Sequence, residues 1–162
     1  MQDKIEFVRV DDRLIHGQIV TAWLNVYRNV KHIICIDDFS SKDPFMQKMF
    51  QLLIPKDVTV EINSIERAVE NIKSGLDKPT MIIVKTPLTV KTLIDEGIHI
   101  DKFNVGGMGM SGKRKPFYQN ISADEEEKAI MLELLNKGVK IEIQTSPLQQ
   151  AYDCEEILKK VE

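Results

Sequence analysis

His32-Ile33-Ile34-Cys35-Ile36 and Thr80-Met81-Ile82-Ile83-Val84 are two five-residue runs with apolar side chains at consecutive rather than alternate positions. A strand with one face in water alternates, whereas a strand apolar on both faces is covered on both, as in parallel sheets flanked by helices. Working outward, each run sits between amphipathic segments. Glu6-Phe7-Val8-Arg9-Val10 precedes a helix over Gly17 to Asn29, whose Ile19, Val20, Trp23, Leu24 and Tyr27 recur at helical spacing. Asp43-Pro44 supplies a cap and a first-turn proline for a helix through Met46, Met49, Phe50 and Leu53. Val58 to Ile62 alternates as a strand, and Ser64 opens a helix ending near Gly75. The Thr80 run leads to a helix from about Leu88 to Gly97, and Phe103-Asn104-Val105 forms a fifth strand. Tyr118-Gln119-Asn120-Ile121 is a candidate short strand, and Ser122-Ala123-Asp124-Glu125 fits a capping box for a helix to Lys137, closed by Gly138. Val139 to Ile143 is a late strand, and Ser146-Pro147-Leu148-Gln149 caps a last helix reaching the C-terminus. Gly75, Gly97 and Gly138 each separate a helix from the next strand, as C-caps do. The alternation predicts an α/β protein: a doubly wound, mostly parallel sheet with helices on both faces, in a single domain over residues 1–162.

Composition narrows the function classes. At 162 residues, 43% hydrophobic and 29% charged, the chain has the balance of a globular protein rather than a disordered one. Its 22 Lys plus Arg against 25 Asp plus Glu leave a net charge of -3, which is no footprint for nucleic-acid binding. No apolar stretch is long enough to span a bilayer, and Met1 to Glu6 lacks the basic start and apolar core of a signal peptide. Two cysteines without a CxxC spacing favour neither a disulfide framework nor a structural zinc site. These features predict a cytoplasmic protein.

In a doubly wound fold the loops at the carboxyl ends of the strands form the functional edge. Here they begin near Asp11, Asp37, Asn63, Lys85 and Gly106. The first runs Arg9-Val10-Asp11-Asp12-Arg13-Leu14-Ile15-His16-Gly17-Gln18, placing two carboxylates, two guanidinium groups and an imidazole within eight residues. The uncapped amides of a helix start attract anions, Arg13 offers bidentate contacts to phosphate oxygens, and Gly17 lets backbone approach a bulky anion. Close to that positive helix end His16 is favoured as neutral imidazole, the nucleophilic form. Asp11 or Asp12 is placed to accept a hydrogen bond from one ring nitrogen and leave the other free. Arg9 is either part of this site or turned beneath the sheet by strand alternation. The combination suits a histidine that receives and releases a phosphoryl group. The plainer alternative is a solvated loop whose charges cap a helix.

Val8 to Gln18, together with Ile33 to Asp38 and Asn104-Val105-Gly106-Gly107-Met108, resembles the IIB subunits of the mannose/fructose/sorbose family in the phosphoenolpyruvate-dependent sugar phosphotransferase system. The likeness spans nearly the whole chain, and Asp11-Asp12-Arg13-Leu14-Ile15-His16-Gly17-Gln18 matches the family string without departure. The resemblance implies a phosphotransferase in which His16 accepts phosphate at Nδ1 from a histidine of a IIA partner. The group then passes to a sugar held by membrane IIC and IID subunits, with the Asp11–Arg13 string supporting transfer. It implies peripheral association with the permease, no cofactor and no metal; a homo-oligomer is compatible with it.

Around this centre, Asp37 and Asp38 either orient Arg13 or His16, hold magnesium, or favour the turn before Asp43. Thr86 lies on the same predicted edge, as a hydrogen-bond donor to phosphohistidine or as a turn residue, and Gly17 and Gln18 support phosphate at the helix start. Gly107-Met108-Gly109-Met110-Ser111-Gly112 satisfies GxGxxG, but Lys113-Arg114-Lys115-Pro116 follows where a dinucleotide site needs a helix. The same stretch nearly fits a P-loop, yet Arg114 stands where Ser or Thr must ligate magnesium. It is expected to be a flexible loop, with Lys113, Arg114 and Lys115 either a solvated basic turn or a holder of phosphate, sugar or an acidic partner. Cys35 is a small buried hydrophobe at mid-strand. Cys154 lies on the terminal helix, away from the predicted edge, His32 and His99 show no ligand spacing to His16, and Trp23 with Tyr27 packs the first helix on the sheet.

Overall fold

The computed structural model describes residues 4–161. Residues 1–3 and 162, and with them the ends of the expected 1–162 domain and part of the segment weighed as a leader, lie outside the described residues. In chain order the strands are β1 (Ile5–Asp11), β2 (His32–Ile36), β3 (Thr59–Asn63), β4 (Thr80–Val84), β5 (Lys102–Gly107), β6 (Lys115–Tyr118), β7 (Ile121–Ala123), β8 (Lys140–Ile143) and β9 (Tyr152–Asp153). The helices are α1 (Ile19–Val26), α2 (Pro44–Leu53), α3 (Ile65–Ser74), α4 (Pro87–Asp95), α5 (Glu125–Asn136) and α6 (Cys154–Val161). Seven strands form one sheet in the order β3-β2-β4-β1-β5-β8-β9, parallel except at the β8–β9 edge, while β6 and β7 make a separate antiparallel hairpin.

The consecutive apolar runs explain the layering. Within β2 and β4, Ile33, Cys35, Met81 and Ile83 pack with Val20, Trp23 and Leu24 of α1 and Phe50 of α2. Their neighbours Ile34, Ile36, Ile82 and Val84 pack on the opposite face with residues of α3, α4, α5 and α6. Because successive side chains point to opposite faces, both layers are filled from the same five residues. The helix-closing role expected of Gly75, Gly97 and Gly138 holds, all three with positive φ (111°, 97° and 93°).

Four local expectations are corrected. The first helix begins at Ile19 and ends at Val26, so Gly17 and Gln18 belong to the preceding turn. Tyr118 to Ile121 is not one strand but the bend of the β6–β7 hairpin, with Gln119 at φ 51°. The capping box of α5 is Asp124 with Glu127, since Ser122 is taken into β7. The final helix starts at Cys154 rather than after Ser146, because Tyr152 and Asp153 first pair with β8.

Topology locates the functional edge. After β1 the chain moves toward β2 on one side of the sheet; after β5 it moves toward β8 on the other. Adjacent parallel strands whose connections diverge leave a crevice at their carboxyl ends. Here it opens beyond Asp11 and Gly107, which face each other across a register shift between Val10 and Asp11. Among the described residues, no helix is long and apolar enough to cross a membrane.

Candidate functional site

Phe7, Arg9 and Asp11 alternate along β1 and point to the α1 face. Arg9 is 1% exposed and its guanidinium lies 5.4 Å from the centre of the Trp23 ring. Nη1 donates to Asn104 Oδ1 and, at 3.1 Å, to the Gln144 carbonyl. Nη2 donates to the Thr145 carbonyl at 2.8 Å and to Asp11 Oδ2 at 3.1 Å. Burial lowers this guanidinium from its ordinary value, and the Asp11 charge opposes the shift. Of the two placements open to Arg9, alternation thus selects the buried one. It reaches the site only through Asp11.

Asp11 is the hub. Its Oδ1 accepts from the Arg13 backbone N–H and Nε, both at 3.1 Å, and its Oδ2 accepts from His16 Nε2 at 2.9 Å. Burial alone would raise this carboxyl, but bonds from His16 and Arg13 and the Arg9 charge outweigh it and hold Asp11 below the usual carboxylate range. A buried charge supported this way stays ionised. His16 is partly exposed, at 21% of its side chain, and its Nδ1 has no hydrogen bond to any of the described residues. Arg13 is 50% exposed. The His16 loop contains two left-handed residues, Leu14 at φ 59° and Gly17 at φ 49°. Left-handed backbone is unfavourable for a side chain such as Leu14, whose burial in the core holds the loop in place. No side chain caps α1, whose Ile19 N–H donates to the His16 carbonyl at 3.4 Å, and an uncapped helix start favours an anion.

Other candidate residues lie elsewhere. Asp12 does not touch His16: its Oδ2 accepts from the Gly109 N–H at 2.8 Å and Arg114 Nη1 at 2.9 Å. Of the two aspartates, therefore, Asp11 orients the ring. Asp37 accepts from the Ser40 hydroxyl at 2.6 Å and pairs with Lys85 at 3.2 Å, and Asp38 accepts from the Ile65 N–H. Asp37 thus serves the turn after β2 and Asp38 the start of α3, and neither bonds Arg13 or His16. Burial opposes ionisation of Asp37, but Ser40 and Lys85 hold it below the carboxylate range. Thr86 stands at the carboxyl end of β4, at the start of α4, without a side-chain cap bond. Gln18 occupies the same position for α1. Arg114 is no solvated residue: it is 8% exposed and joined to Glu127 at 2.8 Å. Burial pushes the Cys35 thiol up and raises the Cys154 thiol to about 12, so both remain protonated in the core.

Asn104, Gly106, Gly107 and Glu127 were not evident from sequence as parts of this arrangement. A Cβ on Gly106 would collide with the Arg9 guanidinium, and one on Gly107 with the Asp11 carboxylate. The paired glycines are therefore the close-packed wall of the hub rather than a flexible loop. The available signal was a polar Asn and two glycines closing an otherwise apolar strand beside a strand carrying Arg and Asp. After them comes β6, not the helix a dinucleotide site requires. Among the described residues, no cluster of three or more His, Cys, Asp or Glu is arranged to hold a metal.

Comparison with known proteins identifies relatives of the whole chain. A fructose-specific EIIB component of Bacillus subtilis (strain 168) is 29% identical over 159 residues, covering 97% of each chain. A mannose-specific EIIAB component of Escherichia coli (strain K12) is 27% identical over 161 residues, 98% of this chain but 49% of its relative. The crystal structure of the IIBSor domain of the sorbose permease from Klebsiella pneumoniae superposes with a TM-score of 0.89 at 27% identity, over 98% of both chains. The family model for the phosphotransferase-system sorbose-subfamily IIB component matches residues 5–162, and the chain belongs to that family.

Proposed function

We propose that His16 is the residue of this phosphotransferase component that carries the phosphoryl group. It takes the group from a phosphohistidine of a IIA partner and delivers it to a sugar brought by membrane IIC and IID subunits. The observation that carries this reading is the 2.9 Å contact between His16 Nε2 and Asp11 Oδ2. An ionised carboxylate only accepts, so in the neutral ring Nε2 holds the proton and the lone pair lies on Nδ1. His16 sits in the loop between β1 and α1, at the carboxyl edge of the sheet, and Arg13 of the same loop is half exposed.

In the first step the Nδ1 lone pair attacks phosphorus, forming an N–P bond. The donor's N–P bond breaks and its electron pair returns to the donor imidazole. In the second step a sugar hydroxyl attacks, an O–P bond forms, the Nδ1–P bond breaks with its pair returning to Nδ1, and the hydroxyl proton passes to solvent. Arg13 and the α1 amides counter the charge of the transferring group, and Asp11 holds the ring through both steps. Gly17 and Gln18 flank the phosphate at the start of α1, and Thr86 stands on the same sheet edge at the start of α4; Arg9 supports through Asp11, and Asp12 and Asp37 hold the surrounding loops. No step calls for a nucleotide or a resident cofactor.

A carrier serving two partners needs an accessible, weakly adhesive surface. Phe39, Leu88, Met110 and Leu148 are exposed, and they follow the carboxyl ends of β2, β4, β5 and β8, the edge that carries His16. This scattered apolar ring supports transient docking. The EIIAB relative supports a IIA partner, and the family match from 5 to 162 supports one IIB domain. The chain acts at the cytoplasmic side of the permease.

Reconstitution with phosphoenolpyruvate, the general phosphotransfer proteins and a matching IIA tests the reading. Acid-labile phosphate accumulates on the wild type and is lost in His16→Ala; label persisting in that variant moves the nucleophile elsewhere. Arg13→Ala slows transfer about 10-fold or more while the KM for IIA stays within about two-fold. A change in KM alone would reduce Arg13 to a docking residue.

A further inference from the structure

The segment from Gly107 to Arg114 neither binds as a nucleotide loop nor hangs free. Arg114 is nearly buried between two carboxylates from different parts of the chain. Its Nη1 donates to Asp12 Oδ2 at 2.9 Å and to the Gly109 carbonyl at 3.0 Å. Nε and Nη2 form a fork on Glu127, at 3.0 Å to Oε1 and 2.8 Å to Oε2. Glu127 is itself fixed, because Oε1 also accepts the Asp124 N–H at 3.0 Å in the capping box of α5. Asp12 is held at both ends: its N–H donates to the Gly107 carbonyl at 2.9 Å and its carboxylate accepts the Gly109 N–H. The start of α5, the loop after β5 and the loop after β1 are thus joined through one guanidinium. Between them lies Asp12, flanked in sequence by Asp11, which holds the ring, and Arg13, which faces the phosphate.

We infer that Arg114 is a positioning residue for phosphoryl transfer, clasping the loop after β5 to Asp12 so that Asp11, Arg13 and His16 keep their mutual geometry. This inference rests on the assignment of His16 as the acceptor. Bidentate geometry matters here: a lysine supplies charge but cannot bridge Glu127 and Asp12 as a planar fork does. Released from the clasp, the His16 loop retains its residues but loses the registry that transfer requires. A displacement on the order of 1 Å costs up to about 100-fold in rate.

The test uses phosphoramidate as donor, so that no protein partner is needed; the Nδ1–P bond forms as the P–N bond of phosphoramidate breaks and ammonia leaves. Rates at saturating donor are compared for wild type, Arg114→Gln, Arg114→Lys, Asp12→Asn and the Arg114→Gln/Asp12→Asn double variant. Amide hydrogen exchange is measured without donor. Each single loss slows phosphorylation at least about 10-fold with half-saturation within about two-fold, Arg114→Lys recovers only part, and the double variant is no slower than the worse single one. Exchange rises over residues 12–16 and 107–114 while the central strands stay protected. Rates within two-fold of wild type, factors that multiply in the double variant, or exchange rising uniformly across the sheet would each overturn the inference. If Arg114→Gln fails to fold, Arg114→Lys against Asp12→Asn completes the cycle. Phosphate persisting in His16→Ala overturns the acceptor assignment instead, and the exchange pattern still decides whether the clasp exists.

Discussion

Asp11 is the residue on which the site turns, because one carboxylate receives Arg9, Arg13 and His16. Removing its charge leaves Arg9 buried without a counter-ion, a loss typically of about 3–5 kcal/mol. Asp11→Asn therefore lowers the urea midpoint sharply and stops His16 labelling; an unchanged midpoint would show that the Arg9 pairing contributes little. The neighbouring wall is equally exacting. Gly107→Ala drives a methyl group into that carboxylate, with an overpacking cost of about 1–3 kcal/mol, measurable by urea unfolding. At this scale the sequence exposed the chemistry but not the allocation. Asp11 and Asp12 are adjacent, with identical side chains, and strand alternation sends only Asp11 to the face that carries Arg9. Between two lysines, nothing local separates a solvated Arg114 from a bound one, because its carboxylate partners lie 13 and 102 positions away.

Among the elements, α5 shows how tertiary pairing decides between two plausible caps. Ser122 with Glu125 and Asp124 with Glu127 both have the spacing of a capping box. The strand β7 claims Ser122, whose N–H donates to the Met108 carbonyl, so the helix starts two residues later. Asp124→Ala is accordingly expected to cost about 1 kcal/mol, and Ser122→Ala clearly less, in thermal unfolding. The reverse order would restore the earlier helix start. Ser146-Pro147 misleads in the same way: it is a sound local helix opening, overruled when Tyr152 and Asp153 pair with β8. By contrast Asp43, Ser64 and the three closing glycines act as their local chemistry directs. Local signals were sufficient where no distant strand competed for the same backbone.

For the whole molecule, the sheet order makes the site. The divergence of the connections after β1 and β5 opens the crevice, and the same parallel array carries the exposed apolar loops to one edge. The consecutive apolar runs in β2 and β4 announced the two-layer architecture, while strand order depended on pairings that no local pattern encodes. Acid stability also belongs to this scale. Asp11, Asp37 and Glu61 all ionise more readily in the folded protein than in an open chain. Their contribution is complete above the ordinary carboxylate range near pH 4 and is lost as the pH falls through their lowered folded values. Urea unfolding followed from neutral to acid pH should show stability falling below about pH 4, with a shallower slope in Asp11→Asn. An equal slope in that variant would place the acid sensitivity elsewhere.

The regiochemistry of the phosphohistidine tests the central claim most directly. With imidazole nitrogens labelled with 15N, the neutral His16 ring of the unphosphorylated protein should carry its proton on Nε2 and none on Nδ1. After phosphorylation, coupling to 31P should arise at Nδ1 of His16. Coupling at Nε2, or phosphate on any other residue, would contradict the account.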